Sequence, residues 1–317
     1  MFFSATTVSS LRPRVVQHVY QKSVSGEIIF YSSRDAVVFF TIYCVCARKY
    51  GIRSMGLCIM PDHTHQLIQA RDRSVVTPFV RECYHLFAME FNRDSGRSGQ
   101  LFKHEFGCAA KVGDKQIRSV NAYVANNPVE KKMCLRAEEY RWNFLAYAVS
   151  QHPFSEKIVL KKASAPMRRA IEVIKDCRRR NVPVNYATYD RITEGLQEKE
   201  LRQLVDYIIT SYDVVDHEAM LSSYKSYDGM LEAFANTKGA EYDINEDFDP
   251  YSNRNYSRIA DYLKQDCGIA KAKDAIRLPV TVRIQLARRL IRRGIAPEYQ
   301  VRKYLHLCSG GGQVIDL

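Results

Sequence analysis

The sequence predicts an α+β protein: a small sheet with helices in the first 150 residues, then a mainly α-helical remainder. Two patterns carry that expectation. Strand-like and helix-like segments alternate up to about residue 150, and beyond it the apolar spacing turns helical and the charge density rises. At 317 residues the chain is long enough for two or three domains. The division read from these shifts is 1–150, a helical connector over 151–249, and a helical region over 250–317.

The elements follow in order. Val15 to Tyr20 is strand-like, and Arg34 to Lys49 is too long for an ordinary strand, so it is assigned as a helix despite its β-branched residues. Ile52 to Met60 and His63 to Gln69 read as strands on either side of Pro61-Asp62. Val75 to Asn92 has helical apolar spacing, and Ser95 to Gln100 is a loop. Leu101 to Val112 is strand-like, and Lys115 to Asn127 is a helix that Pro128 should stop. The expected sum is about four strands with helices on one face. Farther on, Lys161 to Arg180 carries eight basic and two acidic residues and reads as an exposed basic helix. Glu241 to Pro250 reads as an acidic linker, and the glycine-rich tail from Gly310 to Gly312 as frayed. Tyr256 to Gln265, Arg283 to Arg293 and Tyr299 to Leu307 close the chain as helices, the last two in a helix-turn-helix-like order.

Charge narrows the partners. There are 47 Lys+Arg against 35 Asp+Glu, a net charge of +12, which favours a polyanion, nucleic acid first. The nine cysteines are scattered with no Cys-x-x-Cys pair, which excludes a disulfide framework or thiolate zinc module and points to a reducing, cytoplasmic compartment. The longest apolar stretch, Ala36 to Ala47, is short of the roughly 20 residues a membrane span needs, and no secretory signal is visible. The expected partner is therefore DNA, with no membrane and no small-molecule cofactor.

The chemistry-bearing motif is Met60-Pro61-Asp62-His63-Thr64-His65. Residues two apart on a strand share a face, so both imidazoles project together, a geometry suited to one divalent metal ion. A His-x-His pair is common on exposed strands, so its weight comes from the helix that follows. There Ile117, Val120 and Val124 form an apolar stripe, and Tyr123 and Asn127 lie one turn apart on its edge.

These motifs, with Gly99-Gln100-Leu101-Phe102 between them and Tyr123-Val124-Ala125-Asn126-Asn127-Pro128-Val129 after, resemble the REP-associated tyrosine transposases. Those are relatives of the single-tyrosine HUH insertion-sequence transposases. The resemblance runs from His18 to Trp142, beginning with His18-Val19-Tyr20, a turn near Gly26 and Ile29-Phe30. It implies a ferredoxin-like HUH nuclease sheet that cuts and rejoins single-stranded or hairpin DNA. By the same resemblance His63, His65 and Asn127 would hold Mg²⁺ or Mn²⁺. Tyr123 would be the nucleophile, forming a 5′-phosphotyrosine link with a free 3′-hydroxyl. Asp62 stands where the family usually has Asn, Thr64 and Gln66 where it has apolar residues, and Glu130-Lys131-Lys132 where Arg-Ala-Gly is common.

The candidate DNA contacts are Lys103 and Arg118 between the motifs, and Arg288, Arg289, Arg292 and Arg293 in the C-terminal helix. Arg283, Arg302 and Lys303 belong to the same basic segment. His18 and His85 read as packing residues, and Trp142 as packing on the sheet domain. A monomer or homodimer is expected, nucleoid-associated when DNA-bound. Two other readings share parts of this pattern: a DNA-binding protein without chemistry, and a rolling-circle replication initiator.

Overall fold

A computed structural model describes residues 15–70, 73–237 and 252–308. The expected acidic linker and glycine-rich tail lie outside them. The first half folds as β1 (Val15–Lys22), α1 (Ser33–Tyr50), β2 (Arg53–Ile59), β3 (His63–Gln69), α2 (Val76–Ser95) and β4 (Gly107–Val112). The four strands pair antiparallel throughout in the order β2-β3-β1-β4, which is the ferredoxin-like arrangement.

Local chemistry sets the ends of these elements. Asp35 accepts from the main-chain N–H of Ser32, whose hydroxyl in turn accepts from Arg34, and together they cap α1. Gly51 closes the helix at φ +61°, a left-handed conformation that glycine adopts without penalty. Val37, Val38 and Ile42 sit inside α1 because it is buried over nearly its whole first three turns; tertiary packing overrides their weak helix propensity. The last strand is shorter than its sequence pattern. Only Gly107–Val112 pairs with β1, while Phe102 forms an isolated bridge to Ser23 and Lys103, His104 and Glu105 are exposed.

Helices cover both faces of the sheet rather than one. On one face Val19, Leu57, Ile59 and Ile68 pack with α1 and α2. On the other, Val16, Met55, Cys58 and Leu67 pack under α3 (Gly113–Glu130) through Ile117, Val120, Tyr123 and Val124. Pro128 does not end α3, which continues to Glu130. Its missing N–H falls in the last turn, and its carbonyl accepts the N–H of Met133 at 2.9 Å, so the loss is small.

The rest is helical. α4 (Ala165–Arg179), α5 (Tyr186–Thr193) and α6 (Glu198–Tyr212) join the core of α1 and α2. α4 is amphipathic rather than wholly exposed, burying Met167, Ala170, Ile171 and Ile174. α7 (His217–Leu221) and α8 (Tyr227–Asn236) lie beside α3 and β2. α9 (Arg254–Asp266), α10 (Val280–Arg292) and α11 (Glu298–Tyr304) form a C-terminal module with its own apolar core, into which Ile28 of the first half inserts.

That module is bonded to the sheet half. Ile28 N–H donates to Lys303 O (3.1 Å), His306 Nε2 donates to Ile28 O (2.7 Å), and Tyr31 Oη donates to Tyr304 O (2.6 Å). Buried Lys273 bridges Asp35 of α1 and Asp94 of α2, both at 2.9 Å. Arg34 continues the network to Asp94 (2.7 Å) and to Asp190 of α5 (2.6 Å). Arg283, expected among the DNA-facing cations, instead donates to the carbonyls of Leu305 and His306 behind α11.

Candidate active site

β3 and α3 bring four expected residues together. The pairing register sets Lys22 opposite His63, Tyr20 opposite His65 and Cys58 on the other side of His65. His63 and His65 thus share the face beneath α3, with ring centroids 4.9 Å apart and perpendicular planes. Tyr123 lies over His65, ring centroids 5.4 Å apart. Asn127, one turn farther along α3, donates from Nδ2 to His65 Nε2 at 3.1 Å. All four are buried.

The hydrogen bonds fix where the protons sit. Asn127 donates to His65 Nε2, so that nitrogen presents a lone pair and the ring proton is on Nδ1. His65 Nδ1 lies 3.1 Å from His18 Nε2 and donates to it. His63 Nδ1 lies 2.6 Å from Asp62 Oδ1, which places its proton there and leaves Nε2 as a lone pair. That Nε2 is buried without a hydrogen-bond partner, and so is Asn127 Oδ1. Two imidazole nitrogens and an amide oxygen are therefore the acceptors this cluster could offer a cation, with the His65 nitrogen engaged by Asn127 Nδ2 as it stands.

Electrostatics agree. Burial first, then His63, His18 and Lys22, holds His65 well below its ordinary value. Burial, with Lys111, lowers His18 to about 4, so both rings are neutral near pH 7. Burial pushes Asp62 up, but the adjoining His63 ring and its hydrogen bond, with Lys303, outweigh it and hold the carboxyl at about 2.

Among the described residues no group of three or more His, Cys, Asp or Glu could hold a metal by itself. A divalent ion here would need the neutral oxygen of Asn127 as third protein ligand. The orphaned Nε2 of His63 and Oδ1 of Asn127 fit that requirement.

Lys103 and Arg118 are exposed, on the loop before β4 and on α3. Arg288, Arg289 and Arg292 are exposed on α10, opposite buried Leu286, Ala287 and Leu290, and Arg293 is exposed just past its end; Arg293 lies 3.7 Å from Asp266. Arg302 pairs with Glu298, and Lys303 is buried. His85 is exposed on α2 rather than packed. Trp142 packs edge-on against Phe144, as expected. Thr64 and Gln66 are not stranded on the far face of β3, because both hydrogen-bond the hydroxyl of Tyr84 on α2.

Sequence reasoning missed His18 and Asp62 as partners of the two histidines. His18 was legible in principle: in an antiparallel β1–β3 pair it lies diagonally across from His65 on the same face. Asp62 adjoins its histidine, but only the turn at Pro61 aims its carboxylate at the ring.

Fold and site together define a ferredoxin-like domain in which two strand histidines face a helix-borne tyrosine and asparagine. Residues 27–127 match the family model described as "Transposase IS200 like", which supports kinship of this domain with the Y1 transposases and a DNA-acting role. No curated protein and no solved structure matches the chain. Among the described residues no helix is long and apolar enough to cross a membrane.

Proposed function

We propose that the protein is a metal-dependent single-tyrosine transposase of the REP-associated kind, cutting and rejoining single-stranded DNA at hairpins. The observation that carries this reading is the grouping of His63, His65 and Asn127 beside Tyr123, with His63 Nε2 and Asn127 Oδ1 buried and unpartnered. His63, His65 and Asn127 would hold Mg²⁺ or Mn²⁺, which when bound would polarise the scissile phosphate.

The chain's own residues supply the rest. α3 packs Tyr123 against the sheet through Ile117, Val120 and Val124, fixing its phenol next to the histidines. Tyr123 Oη attacks phosphorus; the new O–P bond forms as the bond from phosphorus to the 3′-oxygen breaks. The phenol loses its proton and the departing 3′-oxygen gains one, leaving a 5′-phosphotyrosine and a free 3′-hydroxyl. Because the phosphodiester is exchanged for another, a 3′-hydroxyl can reverse the step and join a different strand without ATP. The exposed arginines of α10 and the side chains of Lys103 and Arg118 would track the backbone, giving salt-sensitive affinity.

The test is cleavage of a labelled single-stranded hairpin by the full chain. Cleavage should stop in EDTA, return with Mn²⁺, and fall by about 100-fold or more in His63→Ala and His65→Ala, the loss expected when a metal-activated step is disabled. Binding without cleavage by the wild type would favour a non-catalytic DNA-binding protein. Cleavage restricted to a plasmid-origin substrate would favour a replication initiator.

A further inference from the structure

Asp62 is one of the positions at which the metal-site motif departs from its family pattern, and its carboxylate faces two ways. Oδ1 accepts from His63 Nδ1 at 2.6 Å. Oδ2 lies 3.6 Å from the ammonium of Lys303 on α11. Lys303 is buried, with 6% of its surface exposed, which is unusual for lysine and calls for an anionic partner. Its main-chain carbonyl accepts the N–H of Ile28, and its ammonium lies 4.3 Å from the Tyr299 ring centroid.

The path of that side chain is shaped by the sheet half. A Cβ at Gly26 would stand 2.9 Å from Lys303 Cε and 3.1 Å from Nζ, and Gly26 has φ +67°. The turn after β1 therefore favours glycine by its conformation, and a side chain there would push the end of the lysine aside. The lysine stem runs over Gly26 to reach a carboxylate that holds a histidine of the candidate metal site.

We propose that Asp62 is a positioning residue that fixes the ring of His63 with its Nε2 lone pair toward the metal, and that Lys303 ties this setting to the docking of α11. The C-terminal module thereby helps complete a site whose ligands all lie in the first half of the chain. This rests on the metal-site reading given above. A carboxylate on the far nitrogen both orients an imidazole and makes it a better donor. Lys303 in turn holds the carboxylate in place, so loss of the ammonium should weaken the setting without removing any ligand.

The experiment is a Mn²⁺ titration of the full-length protein without DNA, read by the free-ion electron paramagnetic resonance signal, with thermal unfolding of each variant in parallel. Wild type should bind one Mn²⁺, and His63→Ala should bind far more weakly. Asp62→Ala should weaken Mn²⁺ binding by about 10-fold or more, the usual cost of losing such a partner. Asp62→Asn should recover most of that loss, because its amide oxygen can accept the same bond. Lys303→Met keeps the stem over Gly26 but removes the charge, and should weaken binding by roughly 3-fold, a fraction of the loss when the partner itself is removed.

Asp62→Ala binding as tightly as wild type, or Asp62→Asn binding as weakly as Asp62→Ala, would overturn the positioning role. Lys303→Met at wild-type affinity would remove the C-terminal module from it. Wild type that binds no Mn²⁺ would instead contradict the proposed metal site itself, and this inference with it.

Discussion

At the scale of single residues, the site depends on which nitrogen of each histidine carries its proton. His18 sets that choice for His65 by accepting from Nδ1, and Asp62 sets it for His63. Replacing His18 by Phe keeps a ring of similar size but deletes the acceptor. The buried Nδ1–H of His65 then lacks a partner, which costs about 1–3 kcal/mol, and the ring can turn or change tautomer. His18→Phe should therefore lower the unfolding temperature and also weaken Mn²⁺ binding by about 10-fold. Calorimetry and the metal titration read the two effects separately. A lower melting temperature with unchanged Mn²⁺ affinity would reduce His18 to packing. This residue shows where reading from sequence stopped. A His-x-His pair announces itself by spacing, whereas a partner 47 positions away is visible only once two strands are paired in register.

At the scale of elements, α11 and the residue after its last turns are pinned to the start of the sheet half by His306. Its Nε2 donates to Ile28 O, and its Nδ1 lies 3.3 Å from Glu27 Oε2. Burial drives His306 down to about 3 against the effect of that bond, with Arg97, Arg283 and Lys273 lowering it further. Burial raises Glu27 to about 7, against Arg97 and Arg283. The two act in opposite senses on stability. His306 contributes fully above its unfolded value of 6.5 and loses its contribution as pH falls toward about 3. Glu27 contributes fully below its unfolded value of 4.5 and loses its contribution as pH rises through about 7. Between 4.5 and 6.5 the loss from one offsets the gain from the other, so the summed contribution of this pair changes little there. Glu27→Gln removes the gain. Its melting temperature relative to wild type should fall steadily as pH drops from 6.5 to 4.5. A difference that stays constant over that range would contradict the assignment. The helices assigned from sequence match to within a few residues, whereas α5 to α8 were foreseen only as a helical connector. The docking of the C-terminal helices was not legible, because Arg283 and Lys303 read as part of a DNA-facing basic segment until Ile28 is seen inserted beside them.

At the scale of the whole molecule, a net charge of +12 is distributed over a sheet domain and helical regions that are bonded together rather than strung apart. Lys273, Asp35, Asp94, Arg34 and Asp190 link α1, α2, α5 and the turn before α10 in one ion-pair network, buried at Lys273 and Asp35 and open to solvent at Asp190. The antiparallel sheet could be read in outline from the alternation of segments, and its order agrees with the ferredoxin-like expectation. The placement of α3 on the face opposite α1 and α2 could not, since an apolar stripe says that a helix packs but not on which side of a sheet. That placement matters most for function, because it puts Tyr123 over the histidines. The central claim is that Tyr123 becomes covalently joined to the 5′ end of cleaved DNA. The direct measurement is intact-protein mass spectrometry after incubation with a single-stranded hairpin and Mn²⁺. The account predicts a mass increase equal to the 3′-side DNA fragment, mapped by digestion to Tyr123 and absent in Tyr123→Phe. An adduct that persists in Tyr123→Phe, or cleaved DNA with no adduct in the wild type, would contradict it.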